Sequence, residues 1–307
     1  CQSLANLKKI IKADMTIARL NFSHGTYSEY QQIIQDLRQA SLETGKPIKI
    51  LQDLSGPKIR TQNKIPLSLK AEEELILGKD LKISHPEILN NLKLHDRILI
   101  DDGTITLQLI DNKRKLVKVL NHCTIKPHKG VNFPDTSLTI PTITKKDRQD
   151  LKFGLQNNID LLAQSFVQSA AEIHELRELS NNRLPIIAKI ERPQALENID
   201  EIAKASDMLM VARGDLGVEL PIEKLLIYQN QILQSGKANN TPVIIATQML
   251  SSMLVHKTPT RAEVIDISNS ILSGAEGLLL SNETSVGPFF AEATLVLQNI
   301  IQELTKP

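Results

Sequence analysis

Hydrophobic positions along the chain follow two alternating patterns. Short apolar runs occur at "MTIARLNFSHG" (15–25), "PIKILQDLSG" (47–56), "IDLLAQSF" (159–166), "PIIAKIE" (185–191), "MLMVARGD" (208–215), "TPVIIATQ" (241–248) and "GLLLSNET" (277–284). Such runs, apolar on both faces, read as buried parallel strands. Segments of helical period lie between them, for instance "TKKDRQDLKFGLQN" and "PIEKLLIYQNQILQSGKA". The alternation predicts an α/β fold with a parallel sheet and helical crossovers, one strand short of a (β/α)8 TIM-type barrel. The opening "LANLKKIIK" has helical spacing and should follow a first strand, so a clipped start is expected. Residues 62–140 break the rhythm. There "RILIDDGTITLQLIDNKRKLVKVLN" reads as short antiparallel strands joined at "DDG" and "DNK". The predicted organisation is a barrel in two parts, 1–61 and 141–307, with a small all-β insert over 62–140.

Each apolar run turns polar at its C-terminal end, on Arg19, Asn21 and Ser23, Asp53, Ser165, Lys189 and Glu191, Arg213 and Asp215, Thr247 and Gln248, and Ser281 and Glu283. In a parallel barrel those ends share one face, which carries the active site. Strand ends that merely meet solvent explain one or two of these cases more easily than all of them. Period-2 alternation points Lys189 and Glu191 the same way, and likewise Arg213 and Asp215. If Glu191 and Asp215 end adjacent strands on the inner face, they offer two hard oxygen ligands suited to Mg²⁺ or Mn²⁺, with Lys189 as a nearby point charge. A rim salt-bridge network without metal is the alternative. Gly214 and Gly217 bracket a turn before a helix, where backbone N–H groups could meet a carboxylate or phosphate.

Composition narrows the partners. The 307 residues are 41% hydrophobic and 23% charged with a formal net charge of +1, which gives no electrostatic case for nucleic acid or an anionic membrane. Only 3% of residues are aromatic and there is no Trp, so base-stacking platforms are not expected. Cys1 and Cys123 form no disulfide framework or zinc spacing, which favours a reducing, cytoplasmic setting; an organelle stays open because the chain begins with Cys. No apolar stretch approaches the roughly 18 residues of a membrane span.

Eight segments in order, "ARLNFSHG", "DLSGPKIRT", "KDRQDLKFG", "AKIERP", "MVARGDLGVELP", "ATQMLSSM", "PTRAEVIDISNSIL" and "LLSNETSVG", resemble the motifs of the pyruvate kinase family. The likeness covers essentially the whole chain, and the insert resembles that family's lid, the B domain. It implies phosphoryl transfer from phosphoenolpyruvate to ADP, giving pyruvate and ATP, with Mg²⁺ on Glu191 and Asp215. By the same resemblance Lys189 stabilises the transferring group and the enolate, Arg19 grips the phosphate, and Gly214, Asp215 and Thr247 hold the substrate carboxylate. Asn21, His24 and Arg60 match positions near the nucleotide, and Lys129 would reach in from the lid. Asn21, Ser23, Asp53 and the Leu54 carbonyl match a K⁺ site. Lys58, standing where potassium-requiring members typically carry glutamate, resembles the potassium-independent subgroup.

The chain also departs from that pattern. The family's C-terminal domain, with the effector site of many members, is expected to be absent. Asn282 replaces a usual glycine and Gln164 a usual small residue before Ser165. Two other functions therefore stay open: a catalytically silent truncated relative, and a Mg²⁺-dependent barrel lyase or aldolase acting on pyruvate-like acids. "PTRAEVIDISNSIL" resembles a subunit-interface helix pair, which implies a homo-oligomer through the barrel.

Overall fold

The computed structural model describes residues 3–136 and 140–306; Cys1 lies outside the described residues. The chain opens with α1 (Leu4–Lys12), whose Leu7, Ile10 and Ile11 face inward, as the helical spacing predicts. Strand β1 (Ile17–Asn21) leads to α2 (Tyr27–Thr44), started by a Thr26/Glu29 capping box and ended by Gly45 in the left-handed region. Strand β2 (Lys49–Asp53) follows.

The insert then folds as antiparallel strands: β3 (Leu67–Leu69), β4 (Glu74–Ile76), β5 (Arg97–Ile100), β6 (Ile105–Asp111), β7 (Leu116–Val119), β8 (Cys123–Ile125) and β9 (Val131–Asn132). β3 pairs with β8, and the other five form one sheet in the order β4-β7-β6-β5-β9. The "DDG" segment is the β5–β6 turn, with Asp101, Asp102 and Gly103 all at positive φ, and Lys115 serves the β6–β7 turn in the same way. Leu75, Ile98, Ile100, Leu107, Val117 and Phe133 belong to a core of the insert's own.

Parallel order resumes with α3 (Lys145–Gln156), β10 (Leu161–Gln164), α4 (Ala170–Leu179) and β11 (Ile186–Ile190). Next come α5 (Pro193–Glu197), α6 (Ile199–Ala205), β12 (Met208–Ala212), α7 (Arg213–Glu219) and α8 (Leu225–Ala238). The chain ends through β13 (Val243–Ala246), α9 (Arg261–Leu272), β14 (Gly277–Leu279), α10 (Asn282–Ser285) and α11 (Phe290–Thr305). The seven strands form one parallel sheet in the order β1-β2-β10-β11-β12-β13-β14. Among the described residues β1 and β14 remain edges, so the eighth strand of a closed barrel is not part of the sheet. Helix α1 packs against both α2 and α11 on that side.

Strand parity sorts the apolar residues into two layers. Ile50, Leu162, Ile190, Val211 and Ile245 face the helices. Leu51, Leu161, Ala163, Ile187, Met210 and Ile244 fill the sheet's interior. The registers Asn21↔Asp53, Ala163↔Asp53 and Lys189↔Met210 place the polar strand ends just beyond this interior layer. That is the C-terminal face on which such folds position their chemistry.

In two of the apolar runs a helix begins before the run ends. β12 stops at Ala212, so Arg213-Gly214-Asp215 begins α7 and both Gly214 and Gly217 lie inside that helix rather than in a turn before it. β14 stops at Leu279, and Asn282, which stands where the family usually has glycine, starts α10 at an ordinary φ that any residue adopts. Gln164 has a plain task. It faces away from the interior, and its Nε2 donates to Thr142 Oγ1 at 3.2 Å, fastening β10 to the segment returning from the insert.

Gly154, on α3, lies against β2. Its neighbour Gln52 donates through Nε2 to the Asp150 carbonyl at 2.6 Å. A Cβ at 154 would strike the Gln52 amide and come within 2.8 Å of Ile159 Cδ1. Gly154→Ala should therefore cost about 1–3 kcal/mol despite its better helix propensity, read as a lower urea midpoint at unchanged slope.

Candidate active site

The buried centre of the C-terminal face is a cluster built on Lys189. Parity turns Lys189 and Glu191 inward together, as expected from their spacing. The Lys189 ammonium lies 2.9 Å from Glu191 Oε1 and 3.2 Å from Asp53 Oδ1, and donates to Ser165 Oγ at 2.7 Å. Arg19 Nε donates to the other Asp53 oxygen at 2.6 Å. The Ser165 hydroxyl donates to the Leu54 carbonyl at 2.7 Å, and the Phe166 N–H donates to Glu191 Oε2 at 2.7 Å. Asp53 and Glu191 are each 1% exposed and Lys189 7%. Charges so buried persist only when paired.

The electrostatics of the two carboxylates differ. Burial alone would raise Asp53, but Lys189 and Arg19 together outweigh it and hold the carboxyl below its ordinary range. Glu191 moves the other way: burial pushes it up, Lys189 pulls it down, and Asp215 pushes it up again, for a net rise. Burial would likewise lower Lys189, but Asp53 and then Glu191 raise it to about 12, so it is a permanent cation at neutral pH. Half-buried Asp215 is within electrostatic reach of Lys189, Glu191, Arg192 and Glu219. Glu191 and Asp215 thus form a pair of mutually repelling carboxylates beside one ammonium. That donor set suits a hard divalent cation, which needs one or two carboxylates and completes its shell with water or substrate. No group of three or more His, Cys, Asp or Glu side chains arranged to hold a metal occurs among the described residues.

Arg213 does not share Asp215's direction, contrary to the strand-based expectation, because both sit on a helix. Arg213 is buried. It pairs with Asp266 at 2.8 Å, and its Nη2 donates to the carbonyls of Thr247 at 3.0 Å and Gln248 at 2.9 Å. Thr247 and Gln248 have φ of 71° and 55°, a conformation unusual for a β-branched residue. Arg213 is the brace that holds them there. The Gly214 N–H donates to Thr247 Oγ1 at 2.8 Å, joining α7 to the end of β13. Glu283 is also structural, accepting from the N–H groups of Ser281 and Leu250. A cleft of about 540 Å³ opens here, lined by Gly214, Asp215, Thr247, Ser281 and, from the insert, Asp102.

A second group lies around β1 and the segment after β2. Asn21 Oδ1 accepts from the Ser23 N–H at 3.1 Å. Burial, then Lys58, then Arg60 lower the His24 imidazole, which places those two cations near it. Arg60 Nη1 donates to the His128 carbonyl at 2.9 Å, tying the insert's loop to the segment after β2. Lys129 is paired with Asp101 of the insert itself at 2.7 Å. Sequence reasoning missed two insert residues: Asp102, which lines the cleft, and Asn132, whose Nδ2 donates to Glu219 Oε1 at 2.7 Å. The "DDG" turn signal marks the first; nothing marks the second.

Fold and site together define a parallel α/β barrel protein with a buried ion-pair centre on its C-terminal strand face. Comparison with known proteins makes the class specific. A family model described as pyruvate kinase, barrel domain, matches residues 1–294. The pyruvate kinase of Bacillus licheniformis is 40% identical over 97% of this chain and 54% of its own length. That of Agrobacterium vitis is 40% identical over 99% of this chain and 67% of its own, and that of Mycobacterium intracellulare 38% over 95% and 65%. The chain belongs to the pyruvate kinase family, and spans about half the length of the first curated relatives it matches. No helix among the described residues is long and apolar enough to cross a membrane.

Asp53 is the anion shared by two cations, so Asp53→Asn should destabilise the fold by about 3–5 kcal/mol at neutral pH. Asp53 ionises at lower pH folded than unfolded. Its contribution is complete above about pH 4 and is lost as pH falls through the folded value. Urea titrations should show the wild-type advantage shrinking below about pH 4; an advantage that stays constant on acidification would contradict the ionic role.

Proposed function

We propose that the chain catalyses phosphoryl transfer from phosphoenolpyruvate to ADP, giving pyruvate and ATP in glycolysis, with residues 62–140 acting as a lid on a barrel made by 1–61 and 141–307. The observation that carries this is Lys189 held between Asp53 and Glu191 with Asp215 in reach. Phosphoryl transfer needs little covalent help from a protein, and depends on positioning and charge neutralisation.

Glu191 and Asp215 would hold Mg²⁺ or Mn²⁺. When bound, the metal neutralises phosphoryl and enolate oxygens. Arg19 spends its Nε on Asp53, which fixes the guanidinium and leaves its Nη groups for the phosphate. Lys189, protonated throughout neutral pH, is a fixed positive charge for the developing enolate rather than a base. Thr247 Oγ1 accepts from the Gly214 N–H, so its own proton is free for the substrate carboxylate at the Gly214–Asp215 end of α7. Asn21, His24 and Arg60 would take the nucleotide, with Lys129 closing from the lid. α9 carries exposed Ile265 and Leu272, which supports self-association through the barrel.

Lys189→Met should lower pyruvate formation by about 10²–10³-fold in a coupled assay with phosphoenolpyruvate, ADP and Mg²⁺. No ADP-dependent turnover by wild type would favour a silent relative, and pyruvate made without ADP a lyase. In this reading the Lys58 ammonium substitutes for the K⁺ that Asn21, Ser23, Asp53 and the Leu54 carbonyl would otherwise hold. Wild type should need no K⁺, and Lys58→Glu should create a requirement for it; strict K⁺ activation of wild type would refute this.

A further inference from the structure

Arg192 directly follows Glu191, and the proposed reaction gives it no task. It is 3% exposed, yet its Nε and Nη1 have no hydrogen-bond partner among the described residues. Burying such donors unpaired is costly, so the side chain is held in place by something else. Its specific contact is with an aromatic ring: the guanidinium carbon lies 4.9 Å from the Phe166 centroid, within cation–π range. Glu219, Glu191, Glu172 and Asp215 surround it at longer range.

Phe166 is unusual in its own right. Its φ is 60°, a left-handed conformation that a bulky side chain adopts only when its surroundings impose it. This conformation accompanies the 2.7 Å hydrogen bond from its N–H to Glu191 Oε2. The ring is also pressed against Gly56, where an added Cβ would come within 2.8 Å of Phe166 Cδ2. Glycine in "GPKIR" is thus required by the same packing.

We infer that Arg192 is a positioning residue: stacked on Phe166, it holds that residue's left-handed backbone so that the N–H fixes the Glu191 carboxylate for a divalent cation. The inference rests on the metal reading above. It makes a prediction opposite to simple electrostatics. Arg192 is a cation near several carboxylates, so charge alone predicts that removing it tightens cation binding, whereas loss of positioning weakens it.

The test is direct Mn²⁺ titration of the 307-residue chain, with free Mn²⁺ followed by electron paramagnetic resonance without substrates, beside thermal unfolding in EDTA. Arg192→Met, Arg192→Lys and Phe166→Leu should each raise the Mn²⁺ Kd about tenfold, the usual scale for a group that orients a ligand. The melting point of Arg192→Met in EDTA should stay level or rise, because an apolar side chain replaces a buried charge. Unchanged or tighter Mn²⁺ binding by Arg192→Met overturns the inference, as does weakening that merely follows lost stability in all three variants. If wild type binds Mn²⁺ no better than Glu191→Gln, the metal reading itself falls and takes this inference with it.

Discussion

An ammonium group with almost no solvent around it governs the centre of this protein. Lys189 is buried on an inner strand position, and a lone charge there would be prohibitively expensive. It is tolerated because β2 ends on Asp53 and its own strand, β11, is followed directly by Glu191. Those strands are not neighbours, since β10 lies between them. The cluster therefore forms only when three strands are in register, and it links the order of the sheet to the chemistry at its end.

Strand order and parity were legible because burial on both faces leaves a dense apolar signature, and because a period of two is rigid. Ala163, Ile187 and Met210 fall in one layer, and Lys189 and Glu191 turn inward by the same arithmetic. What parity could not reveal was where a strand stops. "MLMVARGD" reads as continuous because Arg213 and Asp215 keep the alternation going, whereas the backbone turns helical after Ala212. The error mattered for Arg213. A strand would have aimed it the same way as Asp215; the helix start sends its guanidinium to the carbonyls of Thr247 and Gln248. Backbone torsion at those two residues, and at Phe166, carries no sequence mark, because their left-handed angles are enforced by neighbours distant along the chain.

The insert's relation to the barrel was equally hidden. Its antiparallel strands announce themselves through turns and alternation, but the residues touching the barrel are scattered. Asn132 meets Glu219 at the far end of α7, the helix that carries Asp215, while Asp102 faces the same cleft. Burial raises the Glu219 carboxyl, and the Asn132 amide offsets part of that cost. A short helix held at one end by Thr247 and at the other by the insert is a rigid mount for the carboxylate it bears.

The asymmetry between Asp53 and Glu191 is the strongest argument for which of them serves a metal. Both touch the same ammonium, yet they are held in opposite directions from the ordinary carboxylate range. Asp53 has a second cation, Arg19, and its charge is fully answered within the protein. Glu191 shares its single direct cation and faces Asp215 as well, so its charge is answered incompletely. A hard cation added between Glu191 and Asp215 relieves that deficit; one added at Asp53 meets two positive groups already in place. The same reasoning bears on the proposed monovalent site, because its one carboxylate, Asp53, is already answered by Lys189 and Arg19. Where a site carries its own fixed cations, a monovalent ion has little left to neutralise.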